Sequence, residues 1–146
     1  MMVDYRHILL AVDFTPENDL VVGRAKALAR RNNAQLDVVH VVEYVSSMYP
    51  ADIPLGDDLD MDSYLVDQAK RDLQKLLETN DLSDCRWFVE LGIPKHEIVR
   101  VARERGADLI VIGSHGRHGL QLILGSTANA VLHSAECDVL AIRVRT

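Results

Sequence analysis

Four glycines, Gly113, Gly116, Gly119 and Gly125, fall within thirteen residues directly after the apolar run Leu109-Ile-Val-Ile112. Glycine loses more backbone entropy on folding than any other residue, so such a cluster needs a reason. A flexible surface loop is one. The other is a cradle: Gly113 turns the chain off its strand, and Gly116 lets the backbone approach a ligand where a Cβ would intrude. Gly125-Ser126-Thr127 then opens a helix, whose first amides and positive dipole end suit an anion, with the two hydroxyls as further donors. Arg117 and His118 would add charge-assisted contacts to a phosphate. The segment has neither the lysine of a P-loop nor the G-x-G-x-x-G spacing, so neither standard nucleotide fingerprint applies. Spacing alone leaves loop and cradle level.

Other clusters carry less. Asp58-Leu-Asp-Met-Asp62 alternates carboxylates like a calcium loop but lacks its glycine at position six and its glutamate at twelve, where Ala69 stands. It reads as a solvated helix start with an aspartate cap. His115 and His118 have no third metal ligand evident in the sequence. His40 lies in an apolar strand and reads as a satisfied structural histidine, and Arg24, Arg30 and Arg31 as a solvated helix face. No nucleophile is paired with an oriented base.

The elements that must position the glycines are legible from periodicity. Ile8–Val12, Leu36–Val42, Arg86–Leu91, Leu109–Ile112 and Val139–Val144 read as strands. Helices are predicted from a Thr15 cap with Pro16 in the first position to Arg31, over 62–78, from Pro94 to a left-handed cap at Gly106, and over 126–134. Residues 44–60, with Pro50, Pro54 and Gly56, form the longest connection. Five strands alternating with four helices imply one parallel sheet covered on both faces, an α/β fold in a single domain over 1–146. Leu9, Leu10, Val12, Val39, Val41, Ile110, Val111 and Ile112 should form its central core. Ligands of such sheets bind at the carboxyl ends of strands, where Asp13 and Gly113 lie.

A net charge of -6 argues against nucleic acid and anionic membrane surfaces as partners, and no apolar run approaches a membrane span. With no signal-peptide pattern, and with Cys85 and Cys137 at no metal or redox spacing, a cytoplasmic protein with reduced buried thiols is expected.

Over its whole length the chain resembles the universal stress proteins. The likeness is carried by Ile8-Leu-Leu-Ala-Val-Asp-Phe-Thr15, Val38-Val-His-Val-Val42, Ala107-Asp-Leu-Ile-Val-Ile-Gly-Ser-His-Gly116, Gly125-Ser126 and Cys137-Asp-Val-Leu-Ala-Ile-Arg143. The resemblance implies a Rossmann-like five-stranded sheet of order 3-2-1-4-5, a homodimer and a role in bacterial stress survival. Its ATP-binding branch has G-x-x-G, nine residues, then G-S or G-T. The A-type branch, which does not bind ATP, has a shorter spacing and usually lacks the glycines. Here Gly113, Gly116 and Gly125-Ser126 match, yet eight residues separate Gly116 from Gly125, which places the chain between the branches.

Carried over residue by residue, the resemblance puts Asp13 with Ala11 and Val12 at the adenosine end and Val41 against adenine. Gly113, Gly116, Gly125, Ser126 and Thr127 would hold ribose and phosphates. Beside the resemblance, Ile112 at the strand end and Arg117, a phosphate contact by its charge, complete the expected site. The cofactor expected is ATP or AMP, with Mg²⁺ if ATP, and Asp13 is the acid that would hold that ion through the nucleotide. An apolar, unblocked last strand (139–144) would pair two chains about a two-fold axis. The main reading is therefore a nucleotide-binding regulator with little turnover. A dimeric interaction module that binds no nucleotide is second, and a weak ATPase or phosphotransfer enzyme third.

Overall fold

The computed structural model describes residues 4–44, 58–114 and 125–143, and only the backbone of 58–60. Strands β1 (His7–Ala11), β2 (Gln35–Val42), β3 (Arg86–Leu91), β4 (Leu109–Gly113) and β5 (Asp138–Ile142) alternate with helices α1 (Asn18–Asn32), α2 (Asp58–Thr79), α3 (Pro94–Arg105) and α4 (Ser126–Ser134). All four strand pairings are parallel, as the alternating pattern implies, and the order is β3-β2-β1-β4-β5, as the family resemblance implies.

Alternation along each strand divides the core into two layers. Ile8, Leu10 and Val12 of β1 and its extension pack with Val38 and Val111 against Val21, Val22 and Ala25 of α1 and Leu73 and Leu77 of α2. Leu9, Ala11, Val39, Ile110 and Ile112 face the other way, against Ile98, Val99 and Ala102 of α3 and Ala128 and Val131 of α4. Continuous apolar runs in β1 and β4 are thus the signature of strands covered on both faces. Seven of the eight expected core residues are buried, and Val41 is only half-buried. The register gives the reason: β1 ends its pairing at Ala11↔Val39, so Val41 keeps β3 on one side and has no β1 partner on the other.

Gly106 caps α3 with φ 71° and Asn33 caps α1 with φ 51°, both left-handed, each donating its N–H to the last turn. Four local expectations are corrected. The first helix begins at Asn18, not at Thr15-Pro16, because the Thr15 hydroxyl donates to Asp13 instead of accepting from a helix amide. Asp62, expected at a solvated helix start, is buried within α2, which begins at Asp58. Both cysteines are half-buried and free, and burial is the largest cause raising each thiol pKa, so neither is a ready nucleophile at neutral pH. The last strand spans Asp138–Ile142, starting one residue and ending two residues before its pattern suggests.

Candidate functional site

Strand order reverses between β1 and β4: from β1 the chain crosses to β2 on one side, and β4 leads to β5 on the other. The carboxyl ends of these neighbours therefore splay their connections apart and leave a crevice. Ala11, Val12 and Asp13 border it from β1, and Ile112 and Gly113 from β4. Half-buried Val41 reaches the same edge from β2.

The far wall is the start of α4. The N–H of Gly125 donates to the carbonyl of Ser114, and the N–H of Ser114 donates to that of Ile142 at 2.8 Å. These two bonds return the chain to the end of β4, so that α4 starts beside the strand the glycine segment left. No side chain caps α4 at Gly125, and its first turn carries no acid. Among the helices, α1 has Asp19 and α3 has Glu97 in the first turn, and α2 opens with Asp58 and Asp60. The α4 terminus is thus the one whose positive dipole end no carboxylate in its own first turn offsets. Ser126 is exposed and Thr127 half-buried there.

On the β1 side, Asp13 sits in a tight web. Its Oδ1 accepts from the Thr15 amide at 3.0 Å and the Thr15 hydroxyl at 2.6 Å, and its own N–H donates to Asn18 Oδ1 at 3.3 Å. His40 Nδ1–H donates to the Val12 carbonyl at 2.8 Å, with the Phe14 ring 4.3 Å from its own. His40 is the satisfied structural histidine expected of it. Burial, the largest influence, lowers its pKa below 6.5, outweighing the bond to Val12 and the charges of Asp13 and Asp72.

That depression has a sign. Unfolded, His40 takes a proton near pH 6.5, and folded it resists until lower pH, so its contribution to stability is present above 6.5 and is lost as pH falls through the folded value. His40→Asn keeps an amide donor for Val12 without a titrating ring. The variant should show a shallower fall of the thermal midpoint below pH 6.5 than the unmodified protein, and equal slopes would contradict this assignment.

The structure thus brings Ala11, Val12, Asp13, Val41, Ile112, Gly113, Gly125, Ser126 and Thr127 to one edge of the sheet. Gly116 and Arg117 lie outside the described residues, as do His115, His118 and Gly119. Sequence reasoning missed Thr15 and Asn18 as supports of Asp13. The signal was present: Asp-x-Thr is a spacing at which an aspartate side chain bonds the backbone two residues on. A second cluster, at the opposite end of the strands, also escaped it. Fully buried Asp37 accepts from His7 Nε2 at 2.6 Å and Gln35 Nε2 at 3.1 Å, with Arg105 stacked over Phe88 beside it.

Comparison with known proteins fits this geometry. Residues 4–143 match the model of the universal stress protein family. The chain is 41% identical over 145 residues to universal stress protein A homolog 2 of Coxiella burnetii, covering 99% of each. A solved universal stress protein UspA from Lactobacillus plantarum is 30% identical, with TM-score 0.74, over 97% of this chain and 100% of that one. A universal stress protein crystallised in complex with cAMP shares the fold at 22% identity and TM-score 0.66, over 98% and 100% of the two chains. With its sheet order, its signatures and its full-length relatives in agreement, the chain belongs to the universal stress protein family.

Proposed function

We propose that this protein binds an adenine nucleotide, ATP or AMP, in the crevice between β1 and β4, and acts as a cytoplasmic stress-response regulator with little or no turnover. The observation that carries the reading is the α4 terminus: uncapped, free of acids in its first turn, and drawn back to β4 by Gly125 and Ser114. Phosphates are the group such a terminus suits. Ser126 and Thr127 supply hydroxyl donors, Val41 offers an apolar, half-open face for a base, and Asp13 is the acid that would hold Mg²⁺ through a bound ATP. The cAMP complex of a protein with this fold supports an adenine ligand. The reading stops at binding because the sequence offers no evident water-activating base beside Asp13. Nucleotide carried through purification tests it: adenine absorbance in the supernatant of acid-precipitated protein is expected, and its absence together with no thermal shift at millimolar Mg-ATP would favour the interaction module instead.

We also propose that β5 joins two copies into a homodimer. Among the described residues it is an edge strand, bonded only to β4. The carbonyl of Ile142 accepts from Ser114 on the β4 side, and strand residues alternate the edge to which their N–H and C=O point, so Ala141 turns its amide outward. Ala141→Pro removes that outward donor without touching the β4 ladder. It should lower the dimer fraction in sedimentation runs, and a monomer mass for the unmodified chain at micromolar concentration would contradict the assembly.

A further inference from the structure

Among the described residues, two buried side-chain polar atoms have no hydrogen-bond partner, Arg105 Nε and Asn18 Nδ2. Arg105 Nε still lies 3.8 Å from the Asp37 carboxylate. Asn18 has no such compensation. It is 5% exposed, and its amide is fixed in orientation because Oδ1 must face the Asp13 N–H, which turns Nδ2 away from it. A buried donor left unsatisfied costs stability, and a helix opening would have been served as well by a residue that leaves none. What this arrangement achieves is a fixed backbone at Asp13. Thr15 does the same for the side chain: its amide and hydroxyl both donate to Oδ1, and Oδ2 has no hydrogen bond within the described residues. Thr15 would otherwise have been free to cap α1, which has no side-chain cap at Glu17.

We propose that Thr15 is a positioning residue for the nucleotide site, holding the Asp13 carboxylate in one orientation so that Oδ2 alone is presented to a ligand, while Asn18 pins the backbone beneath it. The inference rests on the crevice being a nucleotide site, and it assigns to Thr15 a role through Asp13, not a contact with the ligand. A carboxylate fixed before binding loses no rotamer freedom on binding, and that saving is where the affinity comes from.

Thr15→Val keeps the shape and the backbone amide but deletes the hydroxyl, whereas Thr15→Ser keeps the hydroxyl and deletes the methyl. Calorimetric titration with Mg-ATP should give binding weaker by about threefold to tenfold for Thr15→Val and a value within about twofold of the unmodified protein for Thr15→Ser, as the ordering of one side chain on binding implies. Thr15→Val should also lower the thermal midpoint, because it loses a bond to a charged acceptor, so affinity is the readout that separates the two roles. A purely structural threonine would move the midpoint and leave affinity alone. Should Thr15→Val fold poorly, Thr15→Ala removes the same bond with less bulk. If the unmodified protein binds ATP and Thr15→Val binds it equally well, the positioning role is overturned and the site stands. If the unmodified protein shows no binding of ATP, AMP or cAMP, the nucleotide reading fails first and takes this role with it.

Discussion

Leu10→Ala is expected to destabilise the protein by about 4–5 kcal/mol, near the top of the range for buried leucine truncations. Leu10 is wholly buried, pairs with Val38 on one side and Val111 on the other, and faces the layer under α1 and α2. Its neighbours belong to three central strands that cannot shift independently, so the cavity has little chance to collapse. Ile110→Ala makes the contrast. Ile110 is also wholly buried, between Leu9 and Val139, but it lines a cleft of about 220 Å³ between the ends of α3 and α4, with Ala107, Ala135 and Cys137 around it. Water can enter space opened there, so a cost of about 2–3 kcal/mol is expected. Chemical denaturation of both variants checks the order; an Ile110→Ala loss as large as that of Leu10→Ala would mean the cleft does not relax the site.

The second large effect concerns binding. Ser126→Asp places a carboxylate in the first turn of α4, the one helix start whose own first turn lacks an acid. A carboxylate there favours the helix through its dipole, by about 0.3–1 kcal/mol, so the fold should be as stable as before or slightly more so. The same charge opposes a phosphate at the helix amides. At about 5 Å and an effective dielectric near 20, the repulsion is on the order of 3 kcal/mol per charge before screening. Exposure of Ser126 and ordinary salt reduce it, leaving an expected loss of at least about tenfold in nucleotide affinity. Raised or equal stability with lost binding is an outcome that a damaged fold cannot mimic. Unchanged affinity in this variant would move the phosphates away from α4.

Much of this architecture could be read before any coordinates, because its signals are local. The runs at Ile8–Val12 and Leu109–Ile112 could hardly be anything but doubly covered strands, and Gly106 announced the end of its helix. The strand order was another matter. Periodicity shows that strands alternate with helices, not which strands are neighbours, and the order came from family resemblance. What escaped depends on partners distant in the chain. Nothing near Asp37 says that it is buried, since His7, 30 residues earlier, and Arg105 on α3 face it only after the sheet has formed. Val41 looked like core because its neighbours do, and it is half-open because β1 stops short of it. Thr15 was misread because a hydroxyl before a helix can bond forward to the helix or back to an aspartate, and only the folded turn decides between them. At the site, glycines and hydroxyls marked the region, while the pairing of Gly125 with Ser114 that gives it shape is a tertiary event.

The central claim is that the crevice between β1 and β4, closed by the start of α4, takes an adenine nucleotide. Calorimetric titration of the unmodified protein with ATP, ADP and AMP in the presence of Mg²⁺ tests it most directly. A saturable heat for at least one of the three, weakened at higher salt as a phosphate contact requires, is the predicted result. No heat from any of them at millimolar ligand would contradict the account and leave the glycine segment with a structural role alone.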